Sequence, residues 1–280
     1  MIYLAIRPVI IIAALVGYAT LWLWVFAECP YATTRVDGAD WCEKWTWATQ
    51  GSVCVQQPWN SISNLAFLAV AIFMLMRIQP DTAYFTEEFW LAILLIYVTF
   101  ASTLFHLSGG GLYPYGMMDV GAVVTILFML YNLVIRAVYA VWRSSKRTSD
   151  RFWLSTFEAA AFFTLGLTFE LQPWLRWFGW QVILTIYMTL MASFLVAVFL
   201  LLMPTLVRFP ETRRSLLAWL VSAVLACVLL LWLNVNGSGG AQVHCALGDM
   251  GHGFVQALQA YGVLAIWTIT RRCLHVWGVN

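Results

Sequence analysis

An all-α bundle of membrane-spanning helices is the fold this sequence predicts, and three observations predict it. Hydrophobic residues make up 62% of the chain and charged residues 10%, against roughly 25% charged content in soluble domains. Apolar runs of about 20 residues, the length that crosses a bilayer as a helix, recur along the whole chain with short polar connections. Lys and Arg collect in alternate connections, as the positive-inside rule requires of a multi-pass protein. The 280 residues are consumed by these spans, so one membrane domain is expected and no separate soluble one. The net charge of +2 leaves no nucleic-acid footprint, because the basic residues are scattered rather than gathered in a patch.

Taken in order, the runs lie at roughly 8–28, 59–78, 86–107, 117–141, 152–171, 178–203, 214–235 and 251–271, about eight helices. The first is placed like a signal peptide. Its length, its Trp22 and Trp24, and an end at Phe26-Ala27-Glu28-Cys29 without a small-x-small site predict an uncleaved anchor. Arg143, Lys146, Arg147 and Arg151 form one basic connection, Arg208, Arg213 and Arg214 another, and Arg271 with Arg272 the tail. With Arg7 and Arg77 they fall on one side when eight runs alternate, and that side is expected to be the cytoplasm. Segments 29–58, 108–116, 172–177 and 236–250 then lie outside, with only Arg35, Lys44 and Arg176 among basic residues. Cys29, Cys42, Cys54 and Cys245 fall outside as well, Cys227 mid-span and Cys273 in the cytoplasm. Four exported cysteines suggest two disulfides in an oxidising compartment, with free loop thiols as the alternative. A Cys42–Cys245 pair would tie the first outer loop to the entrance of the last helix.

The outer helix ends carry the unusual residues. Ser102 and His106 are four apart at the end of one run and share a helix face; Gly109, Gly110 and Gly111 turn the chain, and Asp119 opens the next run. A hydroxyl, an imidazole and a carboxylate are costly among Leu, Phe and Val in a bilayer, which points to function. The plainer alternative is a buried His with a Ser partner and an Asp cap. The last run opens with His252 and Gln256, again four apart, at comparable depth. Two imidazoles and a carboxylate facing a bundle interior are what a metal site between helices needs, and His244 in the preceding loop is a further candidate. In the first outer loop, Asp37 and Asp40-Trp41-Cys42-Glu43, followed by Gln57-Pro58-Trp59-Asn60, offer oxygens to Ca²⁺ or form a solvated acidic loop. The second run opens Trp59-Asn60-Ser61-Ile62-Ser63-Asn64, where Asn60, Ser63 and Asn64 are expected to cap the helix, bond between helices and support the site. Glu158 and Glu170 are counted as the other membrane acids. The many Trp and Phe residues read as core and interfacial belt.

On these residues the chain resembles the alkaline ceramidase family, within the wider group of membrane hydrolases that includes the adiponectin and progestin receptors. The matching pieces are the Asp40-Trp41-Cys42-Glu43 loop, the Trp59-Asn60-Ser61-Ile62-Ser63-Asn64 helix start, Ser102 with His106, Asp119, and the last-helix motif around His252. They come in the family's order. The resemblance implies a seven-helix ceramidase-type domain at 40–280, preceded at 1–39 by an extra N-terminal anchor helix and the start of the outer loop. It also implies a zinc-dependent amidase that cleaves the N-acyl bond of ceramide or a related N-acyl lipid, giving a sphingoid base and a fatty acid. His106 and His252 would then hold zinc, with Gln256 at the third ligand position, Asp119 as general base and Ser102 as water or oxyanion partner. Asp40, the Trp41 carbonyl and Glu43 would hold calcium.

This chain departs from that pattern where it matters. Gln256 stands where the family has its second last-helix His, Gln57 where it has a Glu, and Trp45 near where it has an Asn. A Gln amide oxygen is a poor zinc ligand and its NH₂ cannot coordinate. Completion of the shell by His244 or Asp119, another metal, or none at all stay open. The alternative function is a non-catalytic, lipid-binding or receptor-like relative. A transporter is less favoured, because the halves show no matching Gly or Pro breaks and no repeat. The partner is in each case a membrane lipid. The expected location is a bacterial inner membrane, with the site near the periplasmic face and the C-terminus in the cytoplasm.

Overall fold

The computed structural model describes residues 2–30, 47–49, 52–55, 57–79, 85–108, 113–143, 194, 196–235 and 251–279. The span expected at 152–171, most of that at 178–203, and Asp40, Trp41, Cys42, Glu43, His244, Cys245, Glu158 and Glu170 lie outside these residues.

Helices dominate. They are α1 (Ile2–Glu28), α2 (Pro58–Ser63), α3 (Leu65–Arg77), α4 (Phe85–Leu107), α5 (Tyr113–Arg143), the short α6 (Val196–Arg208), α7 (Arg213–Val235) and α8 (Gly251–Val276). Among the described residues six stretches are long and apolar enough to cross a membrane, with α2 and α3 together making one of them. The protein is therefore a helical, multi-pass membrane protein.

Two features depart from the sequence expectation. The segment between α1 and α2 adds a short antiparallel hairpin, β1 (Trp47–Thr49) with β2 (Ser52–Val55), to an otherwise helical chain. The second span, expected to be continuous, is interrupted at Asn64 between α2 and α3. Polar side chains compete with the helical ladder there. Ser61 Oγ donates to the Gln57 carbonyl at 2.7 Å, Ser63 Oγ to the Asn60 carbonyl at 2.8 Å, and Asn64 Nδ2 to the same carbonyl at 3.1 Å.

The bundle interior is packed by α3, α4, α5 and α8 through Met74, Leu95, Met129, Leu133 and Ile266. Lipid is as apolar as these side chains, so the helices gain from close packing and interhelical hydrogen bonds rather than from leaving water. Polar groups gather at the two ends of this core. One end holds Glu87 and Glu88 on α4, both buried, with Arg136 of α5 2.7 Å from Glu87 and Arg271 of α8 3.3 Å from Glu88. Trp267 Nε1 donates to Glu88 at 3.0 Å, and Arg271 also reaches the Arg77 carbonyl at the end of α3 at 2.8 Å. Counting only Glu158 and Glu170 as the other membrane acids missed these two.

At the opposite end a disulfide joins Cys29, just past α1, to Cys54 in β2. Closing a loop of this separation, 25 residues, constrains the unfolded chain by about 3 kcal/mol on the loop-entropy account. One cysteine pair is thereby assigned, and the expected Cys42–Cys245 pair lies outside the described residues. Mass spectrometry of an unreduced digest is expected to give a Cys29–Cys54 cross-linked peptide that reduction splits. Recovery of Cys29 and Cys54 as free thiols from protein purified without reductant would contradict the assignment.

Candidate functional site

The disulfide end of the bundle is where the sequence-derived site residues meet. Ser102 and His106 project from the last turns of α4, and both are buried. They belong to a longer polar stripe, Thr99, Ser102, Thr103 and His106, whose spacing keeps one face of α4 toward the interior. Asp119 enters from the first turns of α5, and Gln256 from the second turn of α8. Pro58 fits the first turn of α2, where its missing N–H has no helical partner to lose. Gln57, just before it, is thereby brought against the end of α4.

His106 lies at the centre. Its Nδ1 is 2.7 Å from Gln57 Oε1, and Asn60 Nδ2 donates to the same oxygen at 3.1 Å. An amide oxygen only accepts, so the imidazole proton sits on Nδ1. Its Nε2 is 2.9 Å from Gln256 Nε2, an amide nitrogen that only donates, so Nε2 presents its lone pair. With the Gln57 and Gln256 amides oriented this way, the imidazole between them is the neutral Nδ1–H tautomer.

Gln256 is fully used by this arrangement. Its NH₂ also donates to Ser102 Oγ at 3.2 Å, and its Oε1 meets Ser63 Oγ, whose single proton is shared with the Asn60 carbonyl. The Ser102 side chain also lies near the Asp119 carboxylate. A connected chain results in which donation runs outward from the Gln256 amide, through His106 to Gln57 on one side and to Ser102, beside Asp119, on the other, linking α2, α4, α5 and α8. Every member must be satisfied for such a network to hold in a low-dielectric interior.

Gly253 lets α8 come this close. A Cβ at that position would lie 3.0 Å from Ser63 Cβ, 3.1 Å from Ser63 Oγ and 3.3 Å from the Trp59 carbonyl oxygen. In an open helix Gly→Ala would stabilise by about 1 kcal/mol. Here the added methyl is expected to push α8 off α2 and to destabilise by about 1 to 3 kcal/mol, the usual range for overpacking. Thermal unfolding of Gly253→Ala tests this, and a gain in stability would contradict the close approach.

Calcium and zinc fare differently against this geometry. Asp40, Trp41 and Glu43 lie outside the described residues. Gln57 turns its oxygen to His106 and Asn60. For zinc, the described donors do not make a shell. The amide nitrogen of Gln256 occupies the His106 Nε2 lone pair and also donates to Ser102 Oγ, while the Gln256 oxygen faces Ser63. Among the described residues no three His, Cys, Asp or Glu come together. The backbone of His252 lies in the first turn of α8, one turn before Gln256, and its side chain is outside the description.

Two buried polar atoms close to this chain find no hydrogen-bond partner among the described residues: the donor Gln57 Nε2 and the acceptor Asn64 Oδ1. Each would cost about 1 to 3 kcal/mol if left unmet. No family model, curated protein or solved structure matches the chain. The site's own geometry is therefore what bears on function.

The sequence reading places Gln57 with the first outer loop and its calcium position, and not beside His106, where the structure has it. Its position immediately before a helix-starting Pro and a run of Asn and Ser was the available signal.

Proposed function

We propose that this protein binds an N-acyl lipid of the ceramide type at the outer ends of α2, α4, α5 and α8, on a ceramidase-like seven-helix scaffold, without a metal at His106. The observation that carries the reading is the Gln256 amide on His106 Nε2, which puts a hydrogen-bond donor where a metal-binding histidine would present its lone pair. This is the lipid-binding or receptor-like alternative, and Gln57 supports it by holding the other imidazole nitrogen with a neutral amide.

The chemistry of the lipid suits the groups left over. An N-acyl sphingoid lipid has an amide carbonyl, an amide N–H and hydroxyls. Gln57 Nε2 supplies a buried donor and Asn64 Oδ1 a buried acceptor. The depth agrees as well, because Asn60, Ser63, Ser102, His106 and Gln256 lie within the terminal turns of their spans and Asp119 just beyond one. The amide of such a lipid sits at the same headgroup boundary. The Cys29–Cys54 bond favours an oxidising compartment on this side. Together with Arg77, Arg208, Arg213, Arg214, Arg271 and Arg272 at the other end, it supports an exported site and a cytoplasmic C-terminus.

Hydrolysis of the same lipid class is the second reading, favoured by the Ser102–Asp119 contact. A short-chain fluorescent ceramide offered to the protein in lipid nanodiscs separates the two. Saturable binding without release of fatty acid is expected, and His106→Ala should weaken binding about tenfold, a loss of about 1.4 kcal/mol. Zinc-dependent fatty-acid release that disappears in Asp119→Ala would favour the amidase, and no saturable binding would overturn both.

A further inference from the structure

The helix that precedes the ceramidase-like region is fastened to the site itself. Tyr18, buried in mid-α1, donates its hydroxyl to the Ser61 carbonyl of α2 at 3.1 Å. Thr103 of α4 donates to that carbonyl at 3.3 Å and lies 3.5 Å from the Tyr18 hydroxyl. A carbonyl has two lone pairs, so both hydroxyls can be accepted together. Ser61 is the point on which this matters, because it lies beside the helix break and a backbone oxygen at membrane depth must be satisfied by protein.

The residues around that triangle are the ones that hold His106. Gln57 precedes Ser61 by one turn and accepts the hydrogen bond at His106 Nδ1, Ser63 follows it and contacts Gln256, and Thr103 lies between Ser102 and His106 on α4. Tyr18 is itself well placed by packing. Its ring meets Phe100 edge-on at 5.9 Å, and a Cβ on the adjacent Gly17 would lie 3.3 Å from Phe100, so α1 seats directly on α4. Beyond the membrane end of α1, the Cys29–Cys54 bond grips β2, three residues before Gln57.

We infer that α1 is a working wall of the site, in which Tyr18 is a positioning residue that holds α2 and α4 in the register that fixes the His106 tautomer, with the Cys29–Cys54 bond as its outer fastening. The inference stands on the His106 geometry alone and holds whatever the ligand is.

Nitrogen-15 NMR of histidine-labelled full-length protein in nanodiscs reads this directly. The chain has four His, and the His106 signals are assigned by their loss in His106→Asn. In the wild type, His106 is expected to give one protonated and one lone-pair nitrogen, fixed as Nδ1–H. In Tyr18→Phe the two signals are expected to move toward a tautomer average or broaden. Tyr3→Phe is the matched control, since the Tyr3 hydroxyl donates to the Leu75 carbonyl at 3.2 Å from the same helix but at the far end of the bundle. That variant is expected to leave His106 unchanged. Wild-type His106 signals in Tyr18→Phe, or an equal collapse in Tyr3→Phe, would overturn the inference. If Tyr18→Phe does not fold, Cys29→Ser/Cys54→Ser takes its place with the same expected averaging, and unchanged His106 signals there would overturn it.

Discussion

A Gln256→Leu variant is expected to lose about 3 kcal/mol of stability and to free the His106 ring. The side chain makes three interhelical hydrogen bonds, to His106, Ser102 and Ser63. Interhelical bonds in membranes contribute about 0.6 to 1.7 kcal/mol each, and Leu leaves buried partners unmet at about 1 to 3 kcal/mol apiece. Leu packing recovers part of this, so a loss near the middle of those ranges follows. Gln256→Glu is the informative companion. It keeps the shape and the Ser63 contact but replaces the NH₂ donor by an acceptor, so the His106 Nε2 lone pair meets oxygen. Its loss should approach that of Leu if donation to His106 is what matters. Equilibrium unfolding of the three proteins in one detergent checks the order, and a Gln256→Glu variant as stable as the wild type would contradict the assigned direction of the bond.

The second large effect lies at the opposite end. Arg136→Met is expected to cost about 3 to 5 kcal/mol, the range for removing one partner of a buried ion pair. The pair is close, at 2.7 Å, with the Glu87 side chain 3% exposed and Arg136 16%, so water screens it little. Adding Glu87→Leu to Arg136→Met should restore most of the loss, because replacing both partners with apolar groups is often neutral or stabilising. The rescue distinguishes a cost of uncompensated charge from a cost of lost packing. If the double variant is less stable than Arg136→Met alone, the pair is not the source of the effect.

These two ends show what the sequence made legible. Ser102, His106 and Asp119 stood out because polar residues at helical spacing inside apolar runs are costly, and the structure brings them together with Gln256 and Ser63. Spacing within one helix carried that reading. Gln57 did not stand out, because its role depends on the start of α2 meeting the end of α4, a relation between elements 49 residues apart in the chain. Tyr18 had still less signal, being one aromatic among many in an apolar run. The Glu87 and Glu88 pairings were hidden for the same reason, since Arg136 and Arg271 reach them from other helices. The break at Asn64 was partly visible in Asn60-Ser61-Ile62-Ser63-Asn64. Those side chains were read as capping and bonding between helices, and they also return to their own helix's carbonyls. The hairpin at Trp47–Val55 was overlooked, because seven residues of β-structure in a polar loop give no strong alternation.

The resemblance to ceramidases shaped the expectation of zinc, and Gln256 was already its weak point. The geometry around His106 makes that point sharper, because both imidazole nitrogens face amides. Whether a metal nevertheless assembles there is settled by its stoichiometry. Elemental analysis of the protein, purified in zinc-supplemented buffer and then desalted, is predicted to find far less than one zinc per chain, with no difference in His106→Ala. Near one zinc per chain, lost in His106→Ala, would contradict the metal-free, amide-bracketed histidine.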